Sequence, residues 1–155
     1  MSDPADRLVL LDSEPVGLVT NPRVSEKADR CKRWLQTLIS AGVRVMVPEI
    51  IDYEVRRELI RAGRHQGLAS LDFLSSRLGL LPCSGSVLIE AAGLWAQARR
   101  QGQPTAGNKA LDIDVILAAT AKRAADTRLD VIIATGNVEH LARFVAAKHW
   151  SAIVP

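Results

Sequence analysis

Four carboxylates, Asp12, Glu54, Asp112 and Asp114, stand where apolar runs meet polar residues, and long stretches of chain separate the first two from the rest. Asp12 directly follows the apolar run Leu8-Val9-Leu10-Leu11. Glu54 lies on the same helical side as Ile50 and Ile51, and Asp112 and Asp114 precede the uninterrupted Val115-Ile116-Leu117-Ala118-Ala119-Thr120-Ala121. Acids gathered in one place repel one another and raise their own pKa values unless a cation keeps them ionised. An oxygen-only donor set without His or Cys suits magnesium or manganese, and the chemistry open to such a centre is metal-assisted hydrolysis.

Each residue also admits a plainer role. Asp12 with Ser13 could form a turn, Glu54 could belong to a solvated helix face, and Asp112 and Asp114 could cap a helix and favour its dipole. Asn137, after the apolar segment ending in Thr135, suits a helix N-cap. His65, His140 and His149 suit exposed or structural places, and Trp34, Trp95 and Trp150 suit the core. Arg56, Arg57, Arg61 and Arg64 form a basic run that is either a phosphate track or a solvated face.

The elements that must position these acids alternate between strand and helix. Leu8 to Leu11 reads as a strand buried on both faces, and the segment after it as a Pro- and Gly-bearing loop. Ser25 caps a helix whose stripe is Ala28, Cys31, Leu35, Leu38 and Ile39, ended by Gly42. Val43 to Val47 is the second strand, and Pro48 opens the first turn of a helix that runs to Ala62-Gly63. A helix from about Leu68 to Leu78, a weak strand over Leu80 to Cys83 and a helix over Ser86 to Arg100 follow, the last with Leu88, Ala91, Ala92, Trp95 and Ala98 inward. Gly102 to Lys109 reads as a mobile loop, and a deeply buried helix then opens on Asp112 and Asp114. Asp130 to Thr135 is a fourth strand, Val138 to Ala147 a helix and Ser151 to Val154 a last strand, so the whole predicts an α/β fold with a parallel sheet. In such sheets ligands gather beyond the carboxyl ends of the strands, where Asp12 and Asn137 fall.

At 155 residues, 48% hydrophobic and 24% charged, the chain suits a single domain over 1–155 with one core. Its 4% aromatic content favours helices on a buried sheet over an aromatic-rich sandwich. A net charge of +3 is compatible with acidic partners without demanding them. Cys31 and Cys83 have no Cys or His at ligand spacing, which indicates buried thiols in a reducing compartment. Leu8 to Leu11 is too short for a signal sequence or a span, so the expectation is a cytoplasmic protein without membrane contact.

The ordered segments Leu10-Leu11-Asp12-Ser13, Pro48-Glu49-Ile50-Ile51-Asp52-Tyr53-Glu54, Asp114-Val115-Ile116-Leu117-Ala118-Ala119-Thr120-Ala121 and Ala134-Thr135-Gly136-Asn137-Val138 resemble the PIN-domain nucleases. The likeness spans Leu8 to Val154 and is similar in particular to the VapC-type toxins of bacterial toxin–antitoxin pairs. It implies a three-layer α/β/α fold with a five-stranded parallel sheet in order 3-2-1-4-5. It also implies dependence on Mg2+ or Mn2+, RNA as substrate, homodimerisation and a small antitoxin partner. Asp12, Glu54 and Asp114 match the family's regular acids, Asp112 is an extra carboxylate that could serve as a fourth, and Asn137 stands where many members carry Asp. The activity so implied is phosphodiester hydrolysis, with Asp12 and Asp114 on the metal, and Glu54 and Asp112 completing its shell or orienting water. Ser13 or Thr135 would support a carboxylate, and Arg57 and Arg61 would meet the substrate.

Two other functions are weighed against this. A phosphotransfer domain would need Asp-x-Asp after the first strand or an acceptor Asp after the third, whereas the chain has Asp12-Ser13-Glu14 and Cys83-Ser84. A PIN-fold module that binds RNA with weak or no turnover remains the alternative.

Overall fold

The computed structural model describes residues 3–102, 108–127 and 130–155, with only the backbone course given for 108–110. In chain order the elements are β1 (Arg7–Leu11), α1 (Ser13–Thr20), α2 (Glu26–Ser40), β2 (Arg44–Pro48), α3 (Glu49–Arg61), α4 (His65–Leu78), β3 (Leu80–Leu81), α5 (Gly85–Arg100), α6 (Asn108–Ala125), β4 (Asp130–Thr135), α7 (Val138–Ala142) and β5 (Ala147–His149). All strand pairings are parallel and the five-stranded sheet has the order β3-β2-β1-β4-β5. This is the order the resemblance implies.

The core follows from the strand sequences. Leu8, Val9, Leu10 and Leu11 are all buried, and successive side chains of a strand point to opposite faces, so the sheet is covered on both sides. Helix α6 is apolar all round because it carries two buried stripes. Ile113, Leu117 and Ala121 recur every four residues and join the main core beside the sheet, while Leu111, Val115, Ala118 and Ala119 pack against Val87, Ala91, Leu94 and Ala98 of α5. The alanines on both sides of that second seam let the two backbones approach.

Several expectations need correction. Ser13–Thr20 is a helix rather than a loop, because Asp12 caps it and Pro15 falls in its first turn, where the missing N–H costs nothing. Pro48 is the last residue of β2 and the N-cap of α3 instead of lying within its first turn. On α5 the inward positions are Val87, Ala91, Leu94 and Ala98, whereas Leu88, Ala92 and Trp95 are exposed, with the Arg99 guanidinium over the Trp95 ring. On α2, Ile39 lies outside the buried stripe. Helix α7 stops at Ala142, and the last strand is Ala147–His149, upstream of the expected Ser151–Val154. Most of the loop expected over Gly102 to Lys109 lies outside the described residues, but Asn108 and Lys109 already belong to α6. Among the described residues no helix is long and apolar enough to cross a membrane.

Helix α3, which carries Glu54, is tied to α4 by a polar network. Asp52 is buried and accepts from Arg56 Nε at 2.8 Å and from the Ser75 hydroxyl at 2.7 Å, and Arg56 also reaches Asp72 at 2.7 Å. Burial alone would raise the Asp52 pKa, but the hydrogen bonds from Arg56 and Ser75, together with the Arg56 charge, hold it below its ordinary value. Arg56 is therefore a structural residue and leaves the basic run. Arg56→Ala strands the buried Asp52 carboxylate and is expected to cost about 2–3 kcal/mol, below the usual figure for a fully buried pair because Arg56 is partly exposed. Urea unfolding measures it, and a loss under about 0.5 kcal/mol would show that water replaces the pairing.

Candidate active site

The acids converge at the carboxyl ends of β1 and β4, adjacent central strands where the strand order reverses. Asp12 is fixed from several directions. Its N–H donates to the Ala134 carbonyl at 2.9 Å, its Oδ1 accepts from the Ser13 N–H at 2.7 Å, and its Oδ2 accepts from the Thr135 hydroxyl at 2.7 Å. Thr135 is fully buried and itself accepts from the Asn137 N–H at 2.9 Å, so one hydroxyl joins the turn after β4 to the carboxylate after β1. Burial raises the Asp12 pKa, with the Glu14 charge adding to it, against the pull of the Thr135 and Ser13 hydrogen bonds.

Glu54 comes from the first half of α3 and Asp114 from the second turn of α6. Burial raises the Glu54 pKa, helped by the Asp12 charge, while a hydrogen bond from Ser13 and the Arg57 charge oppose the shift. The effect is larger at Asp114, whose pKa is pushed up to about 6 by burial and by the charges of Asp12 and Glu54, against relief from His140 and Arg143. The Asp12 charge thus acts on both Glu54 and Asp114, and the Glu54 charge on Asp114. The three do not form a ready-made ligand group: among the described residues no three His, Cys, Asp or Glu side chains are near enough to share an ion.

Asp112 does not join them. It is exposed, and two residues along a helix place it about 200° around the axis from Asp114. Because α6 begins at Asn108, neither acid stands at the helix N-terminus, so neither is a cap. Asn137 occupies the N-cap position of α7 but its side chain makes no capping bond. Its Nδ2 lies 3.0 Å from His140 Nδ1, and that ring nitrogen is 3.7 Å from Asp114 Oδ2. His140, set aside on sequence grounds, is thus a neighbour of Asp114. The signal was its place three residues after Asn137, on the same side of a short helix.

Beside the acids runs a groove of about 560 Å3 lined by Ser13, Glu54, Arg57, Arg61 and Arg64. Arg57 lies over the Tyr53 ring at 5.2 Å and Arg61 pairs with Glu58 at 2.9 Å, both at the surface.

The donor chemistry fits a hard divalent cation: oxygen atoms alone, on acids whose ionised forms are penalised by burial and by one another. A further sign is Glu14 Oε2, a buried carboxylate oxygen with no hydrogen-bond partner among the described residues.

No protein-family model and no curated protein matches the sequence. Solved structures do match the fold. The chain is similar to a chain of VapBC2 from Rickettsia felis, bound to a DNA fragment from their promoter, with a TM-score of 0.69 at 17% identity over 92% of this chain and 98% of that one. VapBC-1 from nontypeable Haemophilus influenzae gives 0.66 at 17% identity over 93% and 98%. DNA-bound VapBC from Salmonella typhimurium gives 0.61 at 19% identity over 93% and 98%. The fold is therefore the PIN-like α/β fold found in VapBC complexes.

Proposed function

We propose that the protein is a Mg2+- or Mn2+-dependent endoribonuclease, the toxin of a toxin–antitoxin pair, acting in the cytoplasm as a homodimer restrained by a small antitoxin. The observation that carries this is the meeting of Asp12, Glu54 and Asp114, from three separate elements, at the reversal point of the sheet with their ionised forms penalised. A cluster that costs the fold stability while it is ionised calls for a cation. The likeness in fold to VapBC complexes supports the toxin assignment.

Asp12 and Asp114 would hold the ion, which when bound neutralises charge developing on the phosphoryl oxygens. Glu54, with its raised pKa, is suited to orient the attacking water and accept its proton. Thr135 and Ser13 hold the Asp12 carboxylate in one orientation by hydrogen bonds to its two oxygens. Arg57, Arg61 and Arg64 line the groove along which the RNA backbone would lie.

The test is cleavage of RNA by purified protein with Mn2+ and with chelator. Cutting that stops when the metal is withdrawn is expected. RNA left intact but bound with strong salt dependence supports instead the RNA-binding module without turnover. In the same assay Arg61→Ala is expected to weaken RNA binding, with the slope of log K against log salt smaller by about 1, and to leave the rate at saturating RNA unchanged. An unchanged salt slope would remove Arg61 from the RNA path.

A further inference from the structure

Beyond Arg64 the groove opens into a cleft of about 640 Å3 between the end of α1, the second half of α3 and the first turn of α4. The two are continuous, because Val55, Leu59 and Arg64 line both. Their charges differ. Glu54 and Glu58 stand among the arginines of the groove, whereas Arg23, Arg64 and His65 line the cleft and, among the described residues, no acid does. Arg56 is engaged by Asp52 and Asp72 and Arg61 by Glu58, but Arg23 and Arg64 pair with no carboxylate among the described residues. Val55 and Leu59, packed against the core, give the cleft an apolar wall, and Asn21 and Gln66 bring side-chain amides to it. Asn21 Oδ1 accepts from the Arg23 N–H at 2.9 Å, which fixes the amide and leaves its Nδ2 donors without a partner among the described residues.

Two glycines shape this cleft. Gly67 is buried, and a Cβ there would meet Leu59 Cδ2 at 2.8 Å, so glycine lets the first turn of α4 lie close against α3. Gly17 is different: it sits inside α1 without a positive φ, and an added Cβ would meet nothing within 4 Å. A glycine inside a helix costs about 1 kcal/mol relative to alanine, and neither packing nor backbone conformation requires one here. What Gly17 preserves is the space of the cleft that it lines.

We propose that this cleft is the subsite for a nucleotide of single-stranded RNA flanking the scissile bond, with Arg23 and Arg64 at its phosphates, the base against Val55 and Leu59, and the Asn21 and Gln66 amides at the base edge. The inference rests on the ribonuclease reading of the acids and deepens it, by naming where substrate preference is set. Single-stranded RNA suits the lining, since its unstacked bases can be turned out, stacked on histidine or guanidinium planes and hydrogen-bonded along their edges. The volume lies within the roughly 300–1,000 Å3 usual for such sites. Continuity with the groove beside Glu54 favours a nucleic acid over an acidic polypeptide, because a strand held at the acids reaches the cleft along the arginines of the groove. The Thr20 hydroxyl takes no part; it donates to the Val16 carbonyl at 2.8 Å.

Binding of a fluorescein-labelled single-stranded RNA of random sequence, about 12 nucleotides long, to the full chain in chelator tests this without reference to turnover. Gly17→Leu fills the cleft and removes no charge; it is expected to weaken binding about 5-fold or more with the slope of log K against log salt unchanged. Arg23→Ala is expected to weaken binding with that slope smaller by about 0.7. Thermal unfolding separates occlusion from misfolding, and Gly17→Leu should melt no lower than wild type, since leucine favours the helix. Wild-type RNA affinity in Gly17→Leu, in a protein that cuts RNA with Mn2+, overturns the cleft and leaves the ribonuclease reading standing. If that variant also loses a poly-glutamate peptide that wild type binds, the occupant is an acidic polypeptide instead. An unchanged salt slope in Arg23→Ala overturns the phosphate contact and the subsite with it. Absence of RNA binding by the wild type overturns the cleft, and absence of cutting with Mn2+ as well overturns both readings.

Discussion

Asp114→Asn is expected to lower RNA cleavage by more than about 100-fold, because supporting residues around a metal cost about 10–100-fold and a direct ligand costs more. The same substitution should make the metal-free protein more stable. With the Asp114 pKa raised from 3.8 to about 6, ionising this mostly buried group above that pH opposes folding by on the order of 2–3 kcal/mol. An amide of the same shape removes the penalty, and for a chain of this length that corresponds to a rise of several degrees in Tm. Asp12→Asn should behave alike in cleavage, although Oδ2 must keep the Thr135 hydrogen bond for its fold to stay intact. Opposite signs for activity and stability mark a functional cluster, since a residue that merely supports the fold loses both together. RNA cleavage measured beside thermal unfolding in chelator checks both signs. Full activity in the two Asn variants would sink the nuclease reading, and a lower Tm in Asp114→Asn would sink the electrostatic one.

How far the sequence leads depends on whether a signal is local. The strand Asp130–Thr135 and the run Leu8–Leu11 are legible because each is a continuous apolar stretch too short for a helix and bounded by polar residues, with Val or Ile within it. Helix α1 is not, since Pro15 and Gly17 read as breakers until Asp12 is known to cap the helix and place Pro15 in its first turn. The start of α6 is hidden because no apolar residue marks Asn108 and Lys109, and that displacement of four residues is what turns Asp112 into a candidate ligand. Asp12, Glu54 and Asp114 can be picked out because each borders an apolar segment and the resemblance supplies their order. The neighbours of those acids cannot be read in the same way. His140 reaches Asp114 only through the packing of α7 beside α6, and Glu14 meets Gly136 across more than a hundred residues of chain. No periodicity encodes such meetings; they are products of the sheet order β2-β1-β4.

Without metal the protein is expected to lose stability as pH rises from about 4 to 7, the reverse of the usual behaviour of carboxylates in a fold. The sign follows from the direction of the shifts. Asp114 has a folded pKa of about 6, above its ordinary 3.8, so the folded state binds the proton more tightly than the unfolded chain. The stability it contributes is complete below about pH 3.8 and is lost as pH passes through 6. Asp12 and Glu54, both raised, act in the same sense. Asp52, whose pKa is lowered, changes stability below its ordinary 3.8, outside this window. A divalent cation should reverse the trend where the acids are ionised. Mn2+ at 100 times its Kd adds about 2.7 kcal/mol at pH 7.5, and the gain should shrink sharply at pH 4.5, where protons compete for the same oxygens. Thermal unfolding across pH 4.5 to 8, with chelator and with Mn2+, measures both effects. An equal Mn2+ shift at the two ends of the range would place the ion elsewhere on the protein, and metal-free stability that climbs between pH 4 and 6.5 would mean that the three acids do not repel one another.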